Sequence, residues 1–238
     1  MALVVFTVAI LAGGLATRLR PITETIPKAL VAVAGQPFIY RQLAYLRDQG
    51  VSRVVMCVGY LGNMIEQVVG NGEKFGLSVS YTSDGPTLLG TGGALKKALP
   101  LLGKNFFVLY GDSFLPIRYL QVEQAYLQSG QQALMTVLKN GDRWEKSNVL
   151  FTNGQLVEYN KRTPTADMAY VDYGLGVLSA DVLEPYSTDK PFDLADVYQD
   201  LSTKGQLSGL EVHERFYEIG SHEGLKEAED YFCIKDKA

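Results

Sequence analysis

Apolar positions along the chain fall into short runs, each closed by a glycine-bearing turn. Leu3 to Leu11 is apolar or small on both faces, the pattern of a strand buried inside a sheet, and it runs into Gly13-Gly14. Phe38 to Gln49 sets Ile39, Leu43 and Leu46 at helical spacing, and Gly50 stops the helix. Val51 to Val58 is a second buried strand, ending at Gly59-Tyr60. A helix over 63–69 and an alternating strand over 77–81 follow. Gly90 to Ala94 opens a helix through Leu99, and Phe106 to Tyr110 is a fourth strand ending in Gly111-Asp112-Ser113. Beyond it the pattern predicts a helix over 117–128, a strand over 133–138, a hairpin over 149–159 turning at Asn153-Gly154, and a strand over 170–178. A helix capped by Ser179, a helix over 194–202, a strand over 207–212, a strand end at 216–220 and a helix over 223–232 complete the chain. Alternating strands and helices predict an α/β fold: a doubly wound, Rossmann-like, mixed but mostly parallel sheet. Ligands of such sheets bind beyond the carboxyl ends of the strands.

Composition narrows the class. The chain has 238 residues, 47% hydrophobic and 20% charged, which suits a globular enzyme or binding domain rather than a disordered segment. The formal net charge of −4 argues against nucleic acid as partner but leaves room for a small anion at a local basic cluster. Cys57 and Cys233 are far apart and form no metal pattern. Cys57 sits in an apolar run as a buried thiol, and a reducing, cytoplasmic compartment fits. The first apolar run is too short to span a membrane and lacks a basic leader, so no membrane partner is expected.

Candidate chemistry gathers at the strand ends. Gly13-Gly14 with Thr17, Arg18, Arg20 and Lys28 make a seat for a polyphosphate, where bare amides and cations meet anionic oxygens. A tight turn with solvated arginines explains the glycines but not the clustered cations. Gly90-Thr91-Gly92-Gly93 suits amides and a hydroxyl around a base or ribose, and equally a helix start packed through its glycines. Asp112 stands where an Mg²⁺ ion would sit, and Glu218 is a second carboxylate at a strand end. Lys161 and Arg162 suit a substrate phosphate or a solvated basic pair, and Asp172 a polyol or a turn. No P-loop, nucleophile elbow or Gly-x-Gly-x-x-Gly fingerprint is present, which disfavours ordinary NTPases, serine hydrolases and nicotinamide dehydrogenases.

The segment Leu11-Ala12-Gly13-Gly14-Leu15-Ala16-Thr17-Arg18-Leu19-Arg20-Pro21, with Pro27-Lys28, resembles the signature of the sugar-phosphate nucleotidyltransferases. Val58-Gly59-Tyr60, Gly90 to Ala94, Gly111-Asp112 and Glu218-Ile219-Gly220 follow in that family's order, so the resemblance spans almost the whole chain. It implies a nucleotide-diphospho-sugar transferase fold. It also implies Mg²⁺-dependent transfer of a nucleoside monophosphate from an NTP to a sugar 1-phosphate, with pyrophosphate released. On the resemblance, Leu11, Ala12, Gly13, Gly14, Thr17, Arg18, Gly59, Gly90 and Thr91 bind the nucleotide. Arg18, Lys28 and Asp112 are catalytic, Asp112 and Glu218 hold the metal, and Lys161, Asp172 and Gly174 meet the sugar phosphate.

Two residues depart from the family. Ala16 replaces a glycine, which a methyl tolerates only at negative φ. Glu218 replaces an aspartate and is one methylene longer. In size the chain is similar to compact bacterial members, which makes GTP with heptose 1-phosphate or a mannose-like sugar phosphate the leading expectation. UTP with N-acetylmuramate or glucose 1-phosphate is the alternative, and a non-catalytic regulatory domain is the competing class. One domain over 1–238 is expected, with nucleotide binding over about 1–112 and sugar binding with metal completion over about 113–238. A homodimer is allowed.

Overall fold

The computed structural model describes residues 6–187 and 189–237. In chain order the strands are β1 (Thr7–Ala12), β2 (Ala32–Val33), β3 (Gln36–Pro37), β4 (Arg53–Val58), β5 (Ser78–Ser83), β6 (Asn105–Tyr110), β7 (Ser113–Phe114), β8 (Ala133–Lys139), β9 (Val149–Thr152), β10 (Gln155–Tyr159), β11 (Tyr170–Ser179), β12 (Leu207–Val212) and β13 (Tyr217–Glu218). The helices are α1 (Phe38–Asp48), α2 (Gly62–Val69), α3 (Gly90–Leu102), α4 (Tyr119–Ser129), α5 (Leu194–Thr203) and α6 (His222–Lys235).

Nine strands form one mixed sheet in the order β10-β9-β11-β6-β1-β4-β5, with β8 paired to β11 and β12 to β8. The pairs β6-β1, β1-β4 and β4-β5 are parallel, whereas β11 runs antiparallel to both β6 and β8. Parallel pairing needs a crossover for each strand, and helices supply it. Val8 and Ile10 of β1 pack with Ile39 and Leu43 of α1 and Val122 of α4. Ala9, on the other face, packs with Leu95 of α3 and Val197 and Tyr198 of α5. Helices on both faces explain why β1 is apolar on both sides.

Local chemistry sets the element ends. Gly50 adopts φ 86 and closes α1, and Asn153 (φ 51) with Gly154 (φ 75) turns β9 into β10 with both central residues left-handed. Two expectations need correction. The segment after Ser179 is only a 3-10 turn over Ala180–Leu183, and the Ser179 side chain makes no capping bond. The first strand begins at Thr7, while Leu3 to Val5 of the expected run lie outside the described residues.

The fold places β1, β4, β5 and β6 with their carboxyl ends on one edge. Gly13-Gly14, Gly59, Asp84 and Gly111-Asp112 follow those ends. A separate small core holds the second carboxylate. Phe232 and Ala228 of α6 pack with Phe114, Ile219 and Phe38, which seats β13 against β7.

Candidate active site

Gly13 follows β1, and Gly59 follows β4 directly beside it. A Cβ on Gly59 would stand 2.7 Å from the Gly13 carbonyl oxygen, so only glycine lets the two backbones approach this closely. The resulting floor lies under a cavity of about 260 Å³. Leu11, Ala12, Gly13 and Gly14 line one side of it, Gly90 and Thr91 another, and Lys28 and Asp112 the end. Gly59 therefore supports the cavity from behind rather than lining it. Thr17 begins an exposed 3-10 turn and does not line it either.

A second cavity of about 210 Å³ adjoins the first and shares Tyr110 and Asp112 with it. Arg18, Lys161, Asp172, Gly174 and Glu218 line this one. Arg18 and Lys28 thus stand on opposite sides of Asp112 instead of in one chamber. The structure brings the expected residues of both substrates to neighbouring cavities that meet at a single acid.

Lys28 Nζ donates to Asp112 Oδ2 at 2.6 Å, with each side chain 19% exposed. β13 places Glu218 opposite Ser113, and the Ile219 N–H donates to the Asp112 carbonyl at 2.9 Å, so the two carboxylates stand on adjacent strands. Arg18 Nη2 lies 3.6 Å from Glu218 Oε1. Burial raises the Glu218 pKa above the usual carboxylate range, and the neighbouring Asp112 and Glu145 push it further. A Cβ on Gly220 would collide with the Glu218 carboxyl, so glycine there leaves the longer acid its room.

Among the described residues no group of three His, Cys, Asp or Glu side chains is arranged to hold a metal. The donor chemistry still fits magnesium. Asp112 and Glu218 are hard oxygen donors whose mutual repulsion a cation relieves. Mg²⁺ commonly takes only one or two carboxylates, with phosphates and water completing its shell.

Ala16 overturns one expectation. Its φ is +49 and its ψ +43, in the left-handed region, so the methyl does not escape through a negative φ. An L-residue there costs about 1 kcal/mol relative to glycine. The turn is held by the Thr23 hydroxyl, which donates to the Ala16 carbonyl at 2.8 Å. Ala16→Gly is expected to raise the melting temperature by about 2 °C with turnover retained. A lower melting temperature would show that the conformation is not strained.

The Gly90-Thr91-Gly92 segment serves both readings left open by the sequence. Gly90 and Thr91 line the first cavity. Gly92 receives the Phe192 ring, where a Cβ would clash, and its N–H donates to the Phe192 carbonyl at 3.0 Å. The Thr91 hydroxyl accepts from the Leu194 N–H at 2.8 Å and lies 3.4 Å from Asp193 Oδ1. This docking brings Asp193, unforeseen in the sequence, to the cavity wall. Asp84 and Tyr110 were missed too. Asp84 lay in a turn and Tyr110 ended a strand, and nothing local marked either as facing a cavity.

Around the second cavity, Asp172 Oδ1 accepts from the Gly174 N–H at 2.9 Å, with Gly174 at φ 101 in an irregular stretch of β11. The Asp172 N–H donates to Asn148 Oδ1 at 3.0 Å. Burial pushes the Asp172 carboxyl up to about 6, against the opposing effects of Gly174 N–H and Lys161. A raised acid costs nothing below its unfolded pKa near 3.8 and destabilises the fold progressively as pH rises through about 6. Asp172→Asn is therefore expected to stabilise by about 2 kcal/mol, or roughly 5 °C, at pH 7.5 and by almost nothing at pH 4. Thermal melts at the two pH values check this; an equal gain at both would contradict it.

Glu145 and Asn148 also line this cavity and were not singled out from the sequence. They sit on a loop whose turn residues alone were visible. Desolvation holds the Glu145 pKa above its usual value, opposed by Lys161 and Arg18. Cys57, lining the first cavity, is pushed up to about 12 by burial and is no nucleophile at neutral pH. No helix among the described residues is long and apolar enough to cross a membrane.

Comparison with known proteins adds the family. The chain is 28% identical over 222 residues to the mannose-1-phosphate guanylyltransferase catalytic subunit beta of Xenopus tropicalis, covering 89% of this chain but 60% of that one. It is 40% identical over 104 residues to the N-acetylmuramate alpha-1-phosphate uridylyltransferase of Neisseria meningitidis, covering 43% of this chain and 45% of that one. The chain thus matches about half to three fifths of the length of these relatives. The D-glycero-alpha-D-manno-heptose 1-phosphate guanylyltransferase of Campylobacter jejuni is 26% identical over 212 residues, with 89% of this chain and 93% of that one covered. Among solved structures, HddC from Yersinia pseudotuberculosis in complex with GMP-PN superposes with TM-score 0.78 at 26% identity, covering 95% and 99% of the two chains. The inositol-1-phosphate CTP transferase of T. maritima shares the fold with TM-score 0.77 at 23% identity, covering 97% and 96%. The profile of the Nucleotidyl transferase family matches residues 7–148, more than half of the chain, and the chain belongs to that family.

Proposed function

We propose that the protein transfers a nucleoside monophosphate from an NTP to a sugar 1-phosphate, giving an NDP-sugar and pyrophosphate. The observation that carries this reading is the pair of adjoining cavities that share Asp112, with Lys28 on one side and Arg18 and Lys161 on the other. The first cavity takes the NTP, its phosphates towards Gly13, Gly14 and Lys28. The second takes the sugar 1-phosphate, its phosphate towards Lys161 and Arg18 and its hydroxyls towards Asp172. Residues 1–112 then supply mainly the nucleotide side, and 113–238 the sugar side and Glu218.

The chemistry follows from charge. An oxygen of the sugar phosphate attacks the α-phosphorus, and pyrophosphate leaves in line. Two anions must approach, so the cost is electrostatic, and preorganised cations offset it. Lys28 leaves Asp112 to follow the charge that builds on the transferring phosphoryl group. Holding both reactants on either side of Asp112 supplies the orientation. The nucleophile is already ionised, so no general base is required. Asp112 and Glu218 would hold a magnesium ion, which would neutralise phosphate charge as a Lewis acid.

GTP with heptose 1-phosphate or a mannose-like sugar phosphate is the leading substrate pair. It is supported by the relative from Campylobacter jejuni and by the likeness to HddC, solved with GMP-PN. UTP with N-acetylmuramate or glucose 1-phosphate is the second reading, favoured by the stretch 40% identical to the Neisseria enzyme. Pyrophosphate release, measured for four NTPs against a panel of sugar 1-phosphates, separates them. One pair is expected to dominate, with release abolished by EDTA and restored by added Mg²⁺. No release from any pair would favour a binding domain instead.

A further inference from the structure

We propose that the second cavity selects a sugar 1-phosphate whose sugar is uncharged and rich in hydroxyls, and that Glu145 turns away sugars bearing a carboxylate. The inference rests on the reaction proposed above and names the acceptor class for it.

Two cations, Arg18 and Lys161, face four acids, Asp112, Glu145, Asp172 and Glu218, around this cavity. The acceptor's phosphate engages both cations. Asp112 and Glu218 lie on the side shared with the reacting phosphates. Glu145 and Asp172 are left to face the sugar, with no cation to spare. Carboxylates accept hydrogen bonds from hydroxyls, so this arrangement suits a polyol. A carboxylate on the sugar would instead meet like charge in a partly enclosed cleft, which is a strong basis for rejection.

The neighbouring outer cavity offers no relief. Arg18, Arg143 and Arg215 line it, but so do Glu145, Glu218, Glu223 and Glu227. Arg215 donates to Glu227 Oε2, and the guanidinium groups of Arg143 and Arg215 each lie 5.4 Å from the Trp144 ring centre.

Glu145 is placed to act at the entrance, since it lines both cavities. Its loop is held from within. Asn140 Oδ1 accepts from the Trp144 N–H at 3.1 Å, the Asn140 side-chain amide donates to the Glu145 carbonyl, and Asp142 Oδ1 accepts from the Ser147 N–H at 2.7 Å. Among the described residues no hydrogen bond or ion pair engages the Glu145 carboxylate, which leaves it for a ligand. Asp172, by contrast, is tied to the Gly174 N–H.

The test uses matched pairs that differ by a carboxylate: glucose against glucuronic acid, mannose against mannuronic acid, and N-acetylglucosamine against N-acetylmuramic acid, each as the 1-phosphate. Pyrophosphate release with the preferred NTP and Mg²⁺ gives kcat/KM for every member. In each pair that reacts, the neutral member is expected to exceed the acidic one by about 100-fold or more, and Glu145→Gln to shrink that ratio about tenfold. A structural role for Glu145 would alter both members alike and leave the ratio unchanged, which would overturn its assignment. Equal turnover of an acidic and a neutral member by the native protein would overturn the acceptor class while leaving the reaction intact. Absence of release from every pair would strike the reaction itself, and the inference with it.

Discussion

Asp112→Asn is expected to cut pyrophosphate release by about 1,000-fold while the protein melts within a few degrees of the native one. Asp112 is the one acid that lines both cavities, so its charge bears on both substrates at once. The substitution removes a hard anionic donor from beside Glu218 and the charge partner of Lys28. Removing one member of a part-buried ion pair ordinarily destabilises a fold. Here the asparagine oxygen still accepts from Lys28 Nζ, and Glu218 is freed from a neighbouring negative charge that raises its pKa. The two effects oppose each other, which is why stability is expected to change little. Circular dichroism and a thermal melt, taken beside the rate assay, separate loss of chemistry from loss of fold. Retention of more than a tenth of native turnover would remove Asp112 from the centre of the mechanism.

Lys28→Ala is expected to lower kcat by about 100-fold or more and to leave KM for the sugar 1-phosphate within about threefold. The lysine lines the nucleotide cavity and not the sugar cavity, so its loss leaves the acceptor's direct contacts in place. In the absence of substrate its ammonium is held by Asp112 at 2.6 Å. When phosphates arrive it has a choice of anions, and its greatest gain comes as charge accumulates on the transferring group. A change confined to KM would mean that the lysine binds ground state and transition state equally.

The parts of this architecture that were legible in the sequence are those encoded by contiguous residues. A run apolar on both faces can only be an interior strand, so β1, β4 and β6 and the glycines and acid beyond them stood out. Asn153-Gly154 carries its turn in its own backbone preference. The antiparallel placement of β11 between β6 and β8 was hidden, because alternation reports which side of a strand is buried and not which strand lies beside it. Asp193 reaches the first cavity only because Phe192 docks on the glycines of α3, a contact about a hundred positions apart along the chain. Glu145 depends likewise on a loop folded around Asn140. The left-handed Ala16 defeated a rule based on side-chain sterics, since the loop between β1 and Lys28 imposes that conformation despite its cost. Arg18 was grouped with Lys28 by proximity in sequence, yet the turn between them sends the two cations to opposite sides of Asp112.

The central claim is that the two cavities form one reacting site across Asp112. A crystal structure with a non-hydrolysable NTP analogue, the matching sugar 1-phosphate and Mg²⁺ tests it most directly. The account predicts a sugar-phosphate oxygen about 3 to 3.5 Å from the α-phosphorus, in line with the bond to the departing pyrophosphate and beside Asp112. A sugar phosphate seated away from Asp112, or an α-phosphate outside the reach of Lys28, would contradict it.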